Sequence, residues 1–176
     1  MDGGAVMTSQ VNPNQVTRDA IEAFLYKEAR CLDDRDWDGW LAHYAKDAVF
    51  WMPAWDDDDE LTQDPQKEIS LIYYGQKQGL EDRVFRIRTD RSSATSLPEP
   101  RTSHNITNVE ILEQGAGYCK VRFNWVNLSF RYKTTDNYFG TSFYTIDTSG
   151  TEMLILNKKV VLKNDYIHHV VDIYHI

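Results

Sequence analysis

A chain of 176 residues with 41% apolar and 12% aromatic side chains is long enough to bury roughly two thirds of its unfolded surface as one domain. Its formal charge of −8, from 19 Lys and Arg against 27 Asp and Glu, excludes nucleic acid and anionic membrane surfaces as natural partners. No apolar run approaches the ~20 residues of a membrane span, and the first fifteen residues lack the basic and apolar regions of a signal peptide.

Residues 1–15, rich in Gly, Ser, Asn and Gln, read as a flexible lead-in to a single domain over residues 16–176. Ile21, Phe24, Leu25 and Leu32 share one helical face, which predicts an amphipathic helix from about Val16 to Cys31. Asp34 and Asp36 follow as capping residues for a second helix, in which Trp37, Trp40, Leu41 and Tyr44 repeat the spacing. Ala48–Met52 reads as a short strand, and the acidic stretch "DDDDE" comes after it. "EISLIYY" (Glu68–Tyr74) is β-branched and aromatic enough to favour a strand. "QGLEDRVFRIR" places Leu80, Val84 and Ile87 on one side of a third helix.

From Asn105 onward the apolar period becomes two. Cys119, Val121, Phe123 and Trp125 alternate with polar residues; then the parity flips, and Val126, Leu128, Phe130 and Tyr132 carry the apolar side. A β-bulge produces such a slip, so the sequence predicts a bent strand here. "TTDNY" turns into a strand over Phe139–Asp147, "TSGTE" into Met153–Lys163, and "KND" into a last strand, Tyr166–Ile176. Three helices followed by a meander of long strands predict an α+β fold, with N-terminal helices packed on a curved, mostly antiparallel sheet that encloses a cone-shaped pocket.

The spacings needed for several chemistries fail. An EF-hand loop starting at Asp56 meets Leu61 and Lys67 where it needs a small turn residue and a glutamate. The four aspartates therefore read as a solvated or partner-facing loop, and Trp51 and Trp55 beside them favour a contact patch. An iron motif of the form Asp-x2-His-x4-His begins at Asp165 and His168 but finds Ile173 in place of its second histidine. His169 and His175 read as core or interface histidines. The Cys-x-His pairs of a Rieske cluster are missing around Cys31 and Cys119. Those cysteines lack CxxC spacing and fit buried free thiols in a reducing cytoplasm. No GxSxG, GxGxxG or Walker motif occurs. One constellation stays open: Asp33 and His104, meeting at the cone mouth with Tyr26 or Tyr44, would suffice to abstract a proton next to a carbonyl. The plainer alternative has Asp33 capping a helix and His104 bonding backbone.

"ARCLDDRDWDGWLAHYAKDAVFWMP" resembles the ketosteroid-isomerase and scytalone-dehydratase superfamily, whose fold is a cone of this kind. "PEPRTSHNITNVEI", "FRYKTTDNYFGTS" and "KKVVLKNDYIHHVVDIYHI" are similar to the small (β) subunit of bacterial aromatic-ring-hydroxylating dioxygenases. "WMPAWDDDDELTQDPQKEISLIYY" narrows the likeness to the benzoate, toluate and halobenzoate 1,2-dioxygenase group, and the likeness covers about Val16 to Ile176.

The resemblance implies a non-catalytic assembly subunit of a Rieske non-haem iron enzyme that cis-dihydroxylates benzoate or a substituted benzoate. It implies that the Rieske [2Fe–2S] cluster and mononuclear iron sit in a large α subunit, with NADH electrons arriving through a separate reductase. It also implies an α3β3 assembly, in which this chain meets the α subunit and copies of itself and needs no cofactor of its own. Asp33 and His104 stand where dehydratase relatives carry an acid and a histidine, without an intact dehydratase set. Candidate subunit contacts are the tryptophan-flanked loop (Trp51, Trp55, Asp56, Asp57, with Asp58 and Asp59) and the mixed face of the C-terminal strand (His168, His169, Asp172, Tyr174, His175).

Overall fold

Thr17 accepts a hydrogen bond from the Ala20 N–H and opens helix α1 (Arg18–Asp33), which buries Ile21, Leu25 and Leu32 along its apolar stripe. The computed structural model describes residues 15–89 and 98–176; the expected lead-in lies almost wholly outside them. Asp34 closes α1 rather than opening the next helix: it is helical itself, and its N–H donates to the Arg30 carbonyl at 2.9 Å. Asp36 alone caps α2 (Trp37–Ala42), because its backbone leaves the helical region and its side chain can accept from Gly39 N. Tyr44, expected on that helix, instead begins β1 (Tyr44–Pro53), which is longer than the predicted Ala48–Met52 because its first residue already pairs with Ile155. The remaining elements are β2 (Ser70–Tyr74), α3 (Lys77–Arg88), β3 (Arg101–Gly115), β4 (Tyr118–Arg131), β5 (Thr134–Asp147) and β6 (Leu154–Leu162).

The six strands form one sheet in the order β2-β1-β6-β5-β4-β3. Every neighbouring pair is antiparallel except β1 and β6. Helix α1 packs against β3 and α3 against β1, so the helices cover the inward side of the sheet. Trp40, Phe50, Met52, Ile146 and Ile155 are fully buried between the two layers.

One turn and one strand differ from expectation. β4 and β5 are joined by Tyr132 and Lys133 alone, both at positive φ (50° and 64°), so "TTDNY" belongs to the strand that follows. A two-residue turn of this hand matches the right-handed twist of the paired strands, which is why non-glycine residues are held in it. The predicted bulge in β4 is also absent. β4 pairs with β5 residue for residue from Tyr118↔Asp147 to Arg131↔Thr134, and the ladder irregularities of this region fall in β3, beside Asn108 at φ 54°. Inward burial runs on through Asn127 and Ser129, and the apolar residues of the second half point outward.

The C-terminal segment is not a strand. It runs irregularly and finishes in a short 3-10 turn, Ile173–His175, with Ile173, Tyr174, His175 and Ile176 buried. The alternation that suggested a strand is satisfied by core packing rather than by a sheet edge. Asp172 fastens the turn. It accepts from Ile173 N, its own N–H donates to His175 Nδ1 at 3.1 Å, and its carboxylate takes a two-pronged hydrogen bond from Arg83 on α3.

Candidate functional site

Helix α1 carries two carboxylates into the cone. Glu28 sits in the apolar stripe, three residues after Leu25 and four before Leu32, where a charge must be matched. Its Oε1 accepts from Trp40 Nε1 (2.9 Å), Tyr44 Oη (2.8 Å) and Lys158 Nζ (3.0 Å), and its Oε2 from Tyr144 Oη (3.2 Å). Burial opposes ionisation of Glu28, but the Lys158 charge and these donors outweigh it and hold the carboxyl below its usual range. Glu28 also pushes the Tyr44 and Tyr144 phenols further above the range to which burial has already raised them. Lys158 stands 5.2 Å from the ring centres of both Phe50 and Tyr144. The sequence reading missed this cluster, although a glutamate inside an apolar helical stripe was its signal.

Asp33 and His104 do meet. Asp33 Oδ1 lies 2.6 Å from His104 Nδ1 and accepts from Thr102 Oγ1 at 2.8 Å, while Oδ2 accepts from the His104 backbone N–H at 3.0 Å. Burial raises the Asp33 carboxyl, and these bonds overcome that and lower it. The two proposed phenols part company. Tyr26 is exposed on the rim of an open groove of about 360 Å³ that Asp33 and His104 also line. Tyr44 is committed to Glu28 in the core. The Nε2 of His104 is buried, out of reach of the open groove, and the space it lines leaves only about 20 Å³ for the centre of a water molecule. Organic ligands need cavities of roughly 300 Å³ or more.

The acidic stretch folds on itself. Asp56 N donates to Glu60 O and Asp59 N to Asp56 O, while Asp56 and Asp58 carboxylates accept from the backbone N–H groups of Asp57 and Glu60. Trp55 is tied down by a 2.7 Å bond from Nε1 to the Leu162 carbonyl, with its ring 42% exposed. Trp51 donates to Ser70 Oγ and lies beneath the Lys159 ammonium.

Among the tail candidates, His168 and His169 are exposed beside an open groove of about 540 Å³ that Arg131 and Asp136 also line. Asp172, Tyr174 and His175 are buried within this chain, although His175 also lines that groove. Burial depresses the His175 imidazole to about 4, and His175 stacks on Tyr138 with ring centres 4.9 Å apart.

The exposed apolar side chains concentrate elsewhere. Val126, Leu128 and Phe130 on β4, each 42% exposed, stand together with Phe139 of β5, the direct partner of Val126. Sequence analysis misplaced this patch: the parity flip that marks it was attributed to a bulge.

Cys31 and Cys119 are buried free thiols, each raised by burial, and the donor chemistry of a Rieske cluster does not fit around them. Among the described residues, no three His, Cys, Asp or Glu side chains converge as metal ligands. None of the described helices is long and apolar enough to cross a membrane.

Comparison with known proteins places this geometry. A family described as ring hydroxylating beta subunit matches residues 27–169. The toluate 1,2-dioxygenase subunit beta of Pseudomonas putida is 62% identical over 92% of this chain and 99% of its own length. The crystal structure of the benzoate 1,2-dioxygenase beta subunit from Burkholderia mallei superposes with a TM-score of 0.79 at 56% identity, covering 92% of this chain and 99% of that one. An NTF2-like protein from Pseudomonas putida KT2440 shares the fold alone, with a TM-score of 0.55 at 12% identity over 81% of this chain and 84% of its own. The α+β cone expected from the sequence is the observed fold.

Proposed function

The chain belongs to the ring hydroxylating beta subunit family, and from that premise we propose that it is the non-catalytic assembly subunit of a Rieske non-haem iron dioxygenase. It is a small subunit close to those of toluate and benzoate 1,2-dioxygenases, so the reaction it serves is the cis-dihydroxylation of benzoate or a substituted benzoate. The Rieske [2Fe–2S] cluster and the mononuclear iron reside in the large α subunit, which activates oxygen with electrons drawn from NADH by a reductase. The complex is a cytoplasmic α3β3 hexamer in which residues 16–176 of this chain act as one rigid domain.

The observation that carries this reading is the outward half of β4. Four apolar side chains (Val126, Leu128, Phe130 and Phe139) are held to solvent by an unshifted ladder, with polar Asn127 and Ser129 turned inward. A free-standing protein gains nothing from that inversion; a subunit gains a dry contact. Trp51, Trp55, Asp56 and Asp57, together with His168 and His169, form the rim. Asp33 and His104 serve the fold in this reading by tying α1 to β3.

Co-expression with the large chain tests it. The pair is expected to co-purify with iron and sulfide bound to the large chain and to oxidise benzoate, while the isolated small chain retains no iron and turns over nothing. Tightly held, stoichiometric iron in the isolated small chain would overturn the reading.

A further inference from the structure

Among the described residues, two side-chain polar atoms are buried with no protein partner: His104 Nε2 and Trp125 Nε1. They are neighbours. His104 pairs with Asn127 and Ile106 with Trp125 across the β3–β4 ladder, so the two side chains are diagonal neighbours on the inward face, roughly 7–8 Å apart at the backbone. Both line the same small space, together with Glu28, Lys158, Asn127, Ser142, Tyr144 and Ile176. Only 4% of the His104 side chain and 5% of Trp125 is exposed, so neither atom can turn to bulk solvent.

The chemistry of the two atoms is complementary. Asp33 holds a proton on His104 Nδ1 across 2.6 Å, and in the neutral ring this tautomer leaves the lone pair on Nε2. The indole N–H of Trp125 can only donate. Both rings are fixed in place. Asp33 pins one, and the other lies against Gly140, where an added Cβ would come within 2.7 Å of the indole. With that tautomer, an occupant between them accepts one hydrogen bond and donates another, and it has to be very small. The space leaves about 20 Å³ for the centre of a water-sized sphere, against the ~10–15 Å³ that one water requires.

We propose that the cone contains a one-molecule binding site, filled by a single long-lived water that accepts from Trp125 Nε1 and donates to His104 Nε2, with Ile176 as its stopper. The site turns a pocket that could have held a substrate into a structural joint. The carboxylate, imidazole, water and indole form one chain of hydrogen bonds from α1 through β3 to β4. The inward-facing nitrogen of the Asp33–His104 pair is thereby spent on the fold.

A crystal structure of the full chain at a resolution that shows ordered waters tests the site without any substitution. One peak within about 2.7–3.2 Å of both nitrogens is expected. A direct contact between the two rings, or a larger molecule bridging them, overturns the proposal. In solution, the 15N-labelled chain is expected to show cross-relaxation between the Trp125 indole proton and a slowly exchanging water, with His104 Nε2 unprotonated. An Nε2 that carries its own proton, or an indole proton silent towards water, overturns it. Trp125→Phe should abolish the water peak while leaving Asp33 bonded to Nδ1. Ile176→Ala should shorten the water's residence time until the cross-peak is lost. An unchanged cross-peak in Ile176→Ala contradicts the role of Ile176 as stopper.

Discussion

β4 is one strand with two opposite faces. In its first half, Cys119, Val121, Phe123 and Trp125 are buried inward and Lys120 and Arg122 face solvent. In its second half, Asn127 and Ser129 are buried inward and Val126, Leu128 and Phe130 face solvent, with no slip in the ladder between them. The first half follows the rule for a sheet with one wet side. In the second half the inward side meets the C-terminal segment, where Asn127 Nδ2 donates to the His175 carbonyl at 3.3 Å. On the proposed reading, an inversion of polarity without a change of register marks the place of a partner.

The comparison can be broken first at the inward residues of the first half. Phe123 packs edge-on to Tyr144 with ring centres 5.0 Å apart and is 3% exposed. Phe123→Ala is expected to cost about 3–5 kcal/mol, read as a lower denaturant midpoint of the isolated chain. Phe130→Ala in the second half should leave that midpoint nearly unchanged. Equal losses at the two positions would erase the distinction between the halves.

Acid sharpens the contrast from the inside. The His175 imidazole titrates at about 4 in the folded chain and near 6.5 when free. Between those values the unfolded chain holds a proton that the folded chain refuses, so stability rises with pH from 4 to 6.5 and levels off above. Below the lower value the contribution is lost. The change amounts to as much as about 3 kcal/mol, and His175→Gln, followed by denaturant titration at several pH values, should flatten that part of the profile. A profile unchanged by the substitution would remove His175 from this role.

The smallest effects belong to the acidic loop. Its carboxylates bond their own backbone, and Trp55 is held by the Leu162 carbonyl, so on the proposed reading the loop serves as a rim. Trp55→Ala is expected to weaken assembly up to about fivefold. Single Asp→Asn changes at Asp56 to Asp59 should stay within about twofold, the range of ordinary surface substitutions. Any single aspartate that outweighs Trp55 in size-exclusion titrations would reverse this ranking.

Much of the fold was legible because local signals and burial agreed. The stripe of Ile21, Leu25 and Leu32 and that of Leu80, Val84 and Ile87 became helices with those residues buried. Signals failed where alternation had two physical meanings. The parity flip at Trp125–Val126 looked like a bulge, since a sequence does not say whether a side chain faces solvent or another subunit. The alternation in Tyr166–Ile176 looked like a strand, but Tyr166 and Val170 stay exposed while Ile173 and Ile176 are buried, and only the fold reveals which of them are needed inside. The meeting of Asp33 with His104 was legible as an option; its commitment to Thr102 and to the His104 backbone N–H was not, because only the fold shows that these groups face the same carboxylate.

The outward half of β4 as a subunit contact is tested most directly by Leu128→Asp/Phe130→Asp, mixed with the large chain in sedimentation velocity. The variant chain is expected to keep the far-ultraviolet circular dichroism and denaturant midpoint of the wild type while failing to form the hexamer. Losing anchors of this size corresponds to ≥2 kcal/mol, a fall in affinity of about thirtyfold or more. A double variant that is folded and still sediments as intact hexamer at low concentration would contradict the assignment.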